Sequence, residues 1–126
     1  MALQSTGVIG SIAEQKALHF LIARGLRPVA RNFRCRGGEV DLIMLDGKCL
    51  TFIEVRYRAS AKFIPASQTI DTRKQRKIIR TAAMYIARNR KFAAHTMRFD
   101  VVAVEGSQQM SITWISDAFR PNDASL

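Results

Sequence analysis

The chain has 126 residues, 48% of them hydrophobic, which suffices for one small domain with a single core. Twenty Lys and Arg against ten Asp and Glu give a net charge of +10, so we expect an anionic partner. No run of about 18 apolar residues predicts a membrane span, and the N-terminus lacks the pattern of a secretory signal. Cys35 and Cys49 lack zinc or redox spacing, which favours reduced thiols over a disulfide and a cytoplasmic location.

The first predicted element is a helix from about residue 11 to residue 24, because apolar residues recur there at helical spacing and Gly25 follows as a natural stop. Glu14 lies on or beside the apolar stripe of this helix. It is either an early-turn acid favoured by the helix dipole or a carboxylate aimed at the sheet. A strand is expected next, near residues 29–36.

Two apolar segments on either side of Asp46-Gly47 predict a β-hairpin, since Asp-Gly is a strong signal for a two-residue type I′ turn. With these two residues at the centre of the turn, Asp41 lies opposite Phe52. Strict alternation of side chains then places one apolar set on a single face of the hairpin: Val40, Leu42, Met44, Ile53, Val55 and Tyr57.

The other face of the hairpin carries Glu39, Asp41, Glu54 and Arg56, an assignment that a one-residue slip would reverse. In the predicted register Asp41 and Glu54 are diagonal neighbours about 7–8 Å apart, so their side chains can converge on one ion. These acids form either a solvated face of the hairpin or a cation site. Because the rest of the face is apolar, where a lone carboxylate is costly to desolvate, the cation site is a serious candidate.

The remaining chain predicts a loop over residues 59–69, which either closes over a substrate or is a plain connector. A basic helix follows over about residues 71–90, with strands over 97–104 and 111–115. Residues 116–126 are expected to form a polar C-terminal tail, leaving a single domain over residues 1–115. The order αβββαββ predicts an α/β sandwich in which helices flank a mixed central sheet.

Basic residues cluster in residues 24–36 and 73–91. Arginine makes bidentate contacts with phosphate, so nucleic acid is the expected partner. An anionic membrane surface is disfavoured, because the core uses the apolar stripe of the basic helix. The residues expected to contact nucleic acid are Arg31, Arg34, Arg36, Arg58, Arg73, Arg76, Lys77 and Arg80.

Six groups of residues form a characteristic series: Gly10-x-x-x-Glu14, Arg31-Asn32-Phe33-Arg34, Gly38-Glu39-Val40-Asp41-Leu42-Ile43, Phe52-Ile53-Glu54-Val55-Arg56-x-Arg58, Lys74, and Arg98-Phe99-Asp100-Val101-Val102. From about residue 7 to residue 104 this series resembles the bacterial YraN-like family of uncharacterised proteins. That family is similar to the restriction-endonuclease-like, PD-(D/E)xK superfamily of nucleases, which includes Holliday-junction resolvases. The resemblance implies a restriction-endonuclease-like αβββαβ core.

The resemblance also implies a nuclease domain that uses Mg²⁺ or Mn²⁺. Asp41 matches the metal-binding aspartate, Glu54 the acid of the (D/E)xK triplet, and Glu14 the helix acid of resolvase-like members. These three are the expected metal ligands. Arg56 stands where the pattern has lysine; because arginine stays protonated in proteins, it can serve as a cation and not as a base.

Three further residues are assigned supporting roles. Lys74 is a candidate for a displaced catalytic lysine, Gln75 for orienting the attacking water, and Glu39 for supporting the acids or pairing with an arginine. Two functions stay open: a metal-dependent nuclease, acting on DNA in preference to RNA and on branched DNA as one option, and a non-catalytic nucleic-acid-binding module. A metal-free RNA-processing accessory protein is a third reading, and a homodimer is a candidate assembly.

Overall fold

The computed structural model describes residues 6–59 and 70–121, and its elements follow the predicted order. They are α1 (Thr6–Ala23), β1 (Arg27–Cys35), β2 (Gly38–Asp46), β3 (Cys49–Arg58), α2 (Thr72–Arg88), a short 3₁₀ helix (Arg90–Phe92), β4 (Thr96–Glu105) and β5 (Ser111–Phe119).

The five strands form one sheet in the order β1-β2-β3-β4-β5. Consecutive strands pair antiparallel except β3 and β4, which are parallel because α2 carries the chain back across the sheet between them. The predicted mixed sheet flanked by helices is therefore confirmed.

Each helix covers one face of the sheet. Ala13, Ala17 and Leu21 of α1 are fully buried against a cluster that includes Leu42 and Ile53. On the opposite face, α2 buries its own apolar stripe, Ile78, Ile79, Ala82 and Tyr85, against Ile43, Leu50, Phe52 and Phe99. Because both faces are covered, β2, β3 and β4 are apolar nearly throughout.

The ends of several elements differ from the predicted ones. Helix α1 begins at Thr6, five residues before the predicted start. Strand β5 runs to Phe119, into the segment predicted as a tail. Residues 60–69, which include most of the predicted loop, and residues 122–126 lie outside the described part of the chain.

The turn between β2 and β3 is not the predicted one. Asp46 pairs with Cys49, so the two central loop residues are Gly47 and Lys48. Gly47 has φ 61° at the first loop position, where a type II′ turn takes glycine, and Lys48 does not have positive φ. The predicted type I′ turn is therefore wrong, because it needs positive φ at both positions.

The new turn moves the hairpin register by two residues. Ile43 lies opposite Phe52, where Asp41 was predicted. Glu54 is therefore the residue opposite Asp41. Because the shift is even, it leaves Asp41 and Glu54 on corresponding sides of their strands. The two acids are consequently direct neighbours instead of diagonal ones.

The side-chain alternation predicted for β2 breaks at Asp41. Val40 packs in the cluster under α2, whereas Leu42 packs under α1, so the prediction that they share a face is wrong. The β1–β2 pairing passes over Asn32 and Asp41, and Asn32 has φ 51°. Glu39, predicted to share a face with Glu54, instead borders a cavity with residues of α1.

A buried carboxylate attaches the last strand to the sheet. Asp100 is fully buried in β4 and accepts two hydrogen bonds from Arg98, at 2.9 and 3.0 Å. It also accepts from the Trp114 indole and from the backbone N–H of Asp117, each at 2.9 Å. These bonds hold β5 where the β4–β5 register shifts, which explains why the strand continues past the predicted end.

Replacing this carboxylate should destabilise the fold strongly. In Asp100→Ala the donors of Arg98, Trp114 and Asp117 lose their buried acceptor, so we expect the free energy of unfolding in urea to fall by about 3–5 kcal/mol. Asp46→Ala removes the more exposed partner of Arg98 and should cost about 1 kcal/mol or less. Equal losses in the two variants would contradict this account.

Candidate active site

The candidate site lies where β2 and β3 separate. Their ladder ends at the pair Leu42–Ile53, and the next residue on each strand is an acid, Asp41 on β2 and Glu54 on β3. The backbone N–H of Val55, which no longer has a β2 carbonyl opposite it in the ladder, donates to Asp41 Oδ2 at 2.8 Å. The carboxylate thus closes the gap that the separating strands leave.

Asn32 on the edge strand β1 is a site residue that the sequence analysis missed. Its positive φ lies in the left-handed region, which asparagine tolerates better than most residues. Its side chain forms a hydrogen bond with Glu14. An asparagine in a strand between arginines was the available signal for this irregularity.

Glu54 is only 5% exposed and faces another carboxylate. Burial, and then the charge of Asp41, raise the pKa of Glu54 to about 7, although Lys74 and Arg56 act in the opposite direction. Burial also raises the pKa of Asp41, while the hydrogen bond from Val55 lowers it. The side chain of Glu54 lowers the pKa of Asp41, whereas that of Asp41 raises the pKa of Glu54, the pattern expected when Asp41 accepts a hydrogen bond from a protonated Glu54.

Glu14 lies further from this pair. Partial burial on α1, and then the charge of Asp41, raise the pKa of Glu14. Within residues 6–59 and 70–121, no three Asp, Glu, His or Cys side chains gather as a ready-made metal-binding group. The structure therefore brings Asp41 and Glu54 into contact, and it leaves Glu14 within electrostatic reach.

The donor set of the acid pair suits a hard divalent cation. Mg²⁺ usually takes one or two carboxylates and fills its other positions with water and phosphate oxygens. Asp41 and Glu54 offer that number of carboxylates, and the charge of Asp41 raises the pKa of Glu54 unless a cation neutralises it. The residues present thus fit Mg²⁺ or Mn²⁺, with Glu14 within electrostatic reach of Asp41.

Two cations approach Glu54 from different elements. Arg56 Nη1, two residues along β3, lies 3.7 Å from Glu54 Oε2, and Lys74 Nζ, from the first turn of α2, lies 3.5 Å from the same oxygen. Asp71 caps α2 by accepting from the backbone N–H of Lys74 at 2.8 Å, which places that lysine over the site. The structure thus supplies from α2 a lysine that β3 lacks.

The other predicted residues are dispersed around the pair. Gln75 donates to the carbonyl of Ile70 at 3.1 Å, a contact that holds the segment before α2. Glu39 forms a 3.0 Å ion pair with Arg34, and Arg31 donates to Gln15. The remaining predicted nucleic-acid-binding residues are on the β1–β2 turn, β3 or α2, mostly on exposed positions: Arg36, Arg58, Arg73, Arg76, Lys77 and Arg80.

Two open cavities border the ion pair of Arg34 and Glu39. The first, about 380 Å³, lies between the β1–β2 turn and α2, and we name it the turn cavity; its charged lining is Arg34, Arg36, Glu39, Lys74 and Lys77. The second, about 300 Å³, lies against the start of α1, and we name it the helix cavity; its lining includes Gly10, Ser11, Glu14, Asn32, Arg34 and Glu39.

The acid pair predicts a pH-dependent stability in EDTA. Because folding raises the pKa of Glu54 from 4.5 to about 7, the folded state holds that proton more tightly than the unfolded state. The resulting stability is fully present below pH 4.5 and is lost as the pH rises through about 7, by about 3 kcal/mol in total.

Glu54→Gln should remove most of this dependence, and Asp41→Asn should flatten it in part by removing the like-charged neighbour. The measurement is urea unfolding of the three proteins between pH 4.5 and 8. Parallel pH profiles for all three would show that the pair is not electrostatically strained.

No helix in the described part of the chain is long and apolar enough to cross a membrane. The model of the Uncharacterised protein family UPF0102 matches residues 13–104. A UPF0102 protein from Pseudomonas putida strain F1 is 42% identical over 121 residues, covering 94% of this chain and 98% of the relative. A second, from Saccharophagus degradans, is 44% identical over 114 residues, covering 90% and 94%. The resemblance to the YraN-like family is confirmed, and the chain belongs to the uncharacterised protein family UPF0102.

Proposed function

We propose that this protein is a metal-dependent nuclease that hydrolyses phosphodiester bonds in nucleic acid, with DNA as the first substrate to test. The observation that carries the proposal is the pairing of two acids across β2 and β3, the half-buried Asp41 and the buried Glu54, in a protein of net charge +10. Buried like charges destabilise a fold, so such a pair calls for an explanation beyond stability.

Comparison with Asp100 supports this interpretation. Asp100 is also an acid in an apolar strand, and four donated hydrogen bonds satisfy it completely. Asp41 has one backbone donor and a second carboxyl group beside it. Asp100 therefore has the surroundings of a structural carboxylate, and the Asp41–Glu54 pair has those of a cation site.

The acid pair would also oppose a polyanionic substrate unless its charge were neutralised. Basic residues around it attract phosphate, while two ionised carboxylates would repel it. A divalent cation reconciles the two, because it binds carboxylates and phosphate oxygens together. When bound, Mg²⁺ or Mn²⁺ polarises a phosphodiester and acidifies a coordinated water.

The chain's own groups then have separate tasks. Asp41 and Glu54 would hold the ion, with the Val55 N–H fixing the orientation of Asp41. The proton on Glu54 must leave for the ion to bind, and a pKa of about 7 makes that loss easy at neutral pH. Arg56 and Lys74, which neutralise Glu54, are positioned to stabilise negative charge developing on the phosphate.

A second candidate function is a nucleic-acid-binding module without catalysis. The observation that favours it is the pairing of Glu54 with both Arg56 and Lys74, because these cations reduce the need for a metal ion. In that case the site would bind phosphate weakly, and cleavage would be absent with every metal.

The two candidates differ in their response to Mn²⁺. If the pair binds the ion, wild type should be stabilised by RT ln(1 + [L]/Kd), about 2.7 kcal/mol at a hundredfold excess over Kd. Asp41→Asn/Glu54→Gln should show no such gain. The measurement is thermal unfolding with and without Mn²⁺, and an equal shift in both proteins would rule out this metal site.

Cleavage assays test the roles of the two cations. The assays use Mn²⁺ and a panel of branched, single-stranded and duplex DNA. Lys74→Ala should lower the rate of cleavage about a hundredfold, because it removes a cation that stabilises negative charge on the phosphate. Arg56→Lys keeps the charge and should stay within about tenfold of wild type, or 1.4 kcal/mol of barrier. Absence of cleavage by wild type on every substrate would leave the binding module.

A further inference from the structure

The turn cavity is strongly cationic. Four basic side chains, Arg34, Arg36, Lys74 and Lys77, line it together with one acid, Glu39. The helix cavity has the reverse balance, with Glu14 and Glu39 against Arg34 alone. An anion would therefore be attracted into the turn cavity and repelled from the helix cavity.

Two of the four cations are already engaged and two are not. Arg34 pairs with Glu39, and Lys74 reaches Glu54. Within the described residues, neither Arg36 nor Lys77 forms an ion pair, although both line the same cavity. Uncompensated charges on the two sides of an open cavity are the arrangement expected for binding an anion between them.

The main chain of the β1–β2 turn holds this cavity in shape. A Cβ at Gly38 would lie 2.9 Å from Thr81 Oγ1 of α2, so only glycine allows the turn to pack this closely. The Gly37 and Gly38 N–H groups hydrogen bond to Cys35 and lower the pKa of its thiol, as Thr81 and Arg88 also do. The surroundings of the cavity thus favour negative charge independently of Arg36 and Lys77.

Lys74 joins the cavity to the acid pair. It lines the turn cavity and lies 3.5 Å from Glu54, while Lys77 follows one helical turn later on the same side of α2. An anion between Arg36 and Lys77 would therefore share Lys74 as a neighbour with the Asp41–Glu54 pair.

We propose that the turn cavity is a subsite for the phosphate next to the scissile phosphodiester, bound by Arg36 and Lys77. This inference rests on the proposed function, and it narrows the substrate class to polynucleotides. A small phosphodiester with a single phosphate fills only the acid-pair site and leaves the subsite empty. A strand with adjacent phosphates occupies both.

Binding in EDTA tests the subsite without relying on cleavage. The probe is a short oligothymidylate. We expect Arg36→Ala/Lys77→Ala to weaken its binding at least tenfold and to flatten its log–log salt dependence by about 0.7, the value expected for one phosphate on a single strand.

Lys16→Ala/Lys48→Ala is the matched control, because it removes the same charge from exposed lysines outside the turn cavity. It should change the affinity less than threefold, about the effect expected of screened distant charges. Equal losses in the two double variants would overturn the subsite.

The kinetics of cleavage provide a second test of the subsite. If wild type cleaves oligothymidylate with Mn²⁺, Arg36→Ala/Lys77→Ala should raise KM at least tenfold relative to the control pair, and an unchanged KM would overturn the subsite. If wild type cleaves nothing, the nuclease proposal fails, and the binding measurements in EDTA alone decide whether the turn cavity holds phosphate.

Discussion

The separation of β2 from β3 beyond Leu42 and Ile53 is the constraint on which the site depends. A continuous ladder would have used the Val55 N–H for a backbone bond and would have left no opening between the strands. Instead, the side chain of Asp41 accepts that N–H and comes to lie against Glu54. One unmade pair of backbone contacts therefore positions Asp41 and brings it against Glu54.

The break in β2 extends this effect to both layers of the protein. Val40, just before Asp41, packs toward α2, and Leu42, just after it, packs toward α1. The strand therefore contributes to both cores within three residues. The carboxylate of Asp41 therefore interacts electrostatically with Glu14 of α1 on one side of the sheet and with Lys74 of α2 on the other. A regular strand would have presented Asp41 to only one helix.

The amino-acid pattern predicted the layers and the acids well, and the details of their contact poorly. Even register errors preserve faces, so Asp41 and Glu54 could be placed together although the turn was misassigned. Lys74 was a candidate for a displaced lysine, but its 3.5 Å approach to Glu54 depends on how α2 crosses the sheet, which the sequence pattern does not give. Asp100 shows the limit most clearly: it resembles Asp41 in sequence context, and only its partners, Arg98 and Trp114, reveal a structural role.

Strand β1 lies at the edge of the sheet, where unpaired backbone groups invite other strands to add. The irregular Asn32 that accompanies the opening at Asp41 also interrupts this edge, and a second register shift follows Pro28. Arginines along the strand add charge repulsion between copies. The distortion that shapes the acid pair thereby makes the same edge a poor template for aggregation, so straightening β1 by substitution at Asn32 would affect colloidal behaviour as well as chemistry.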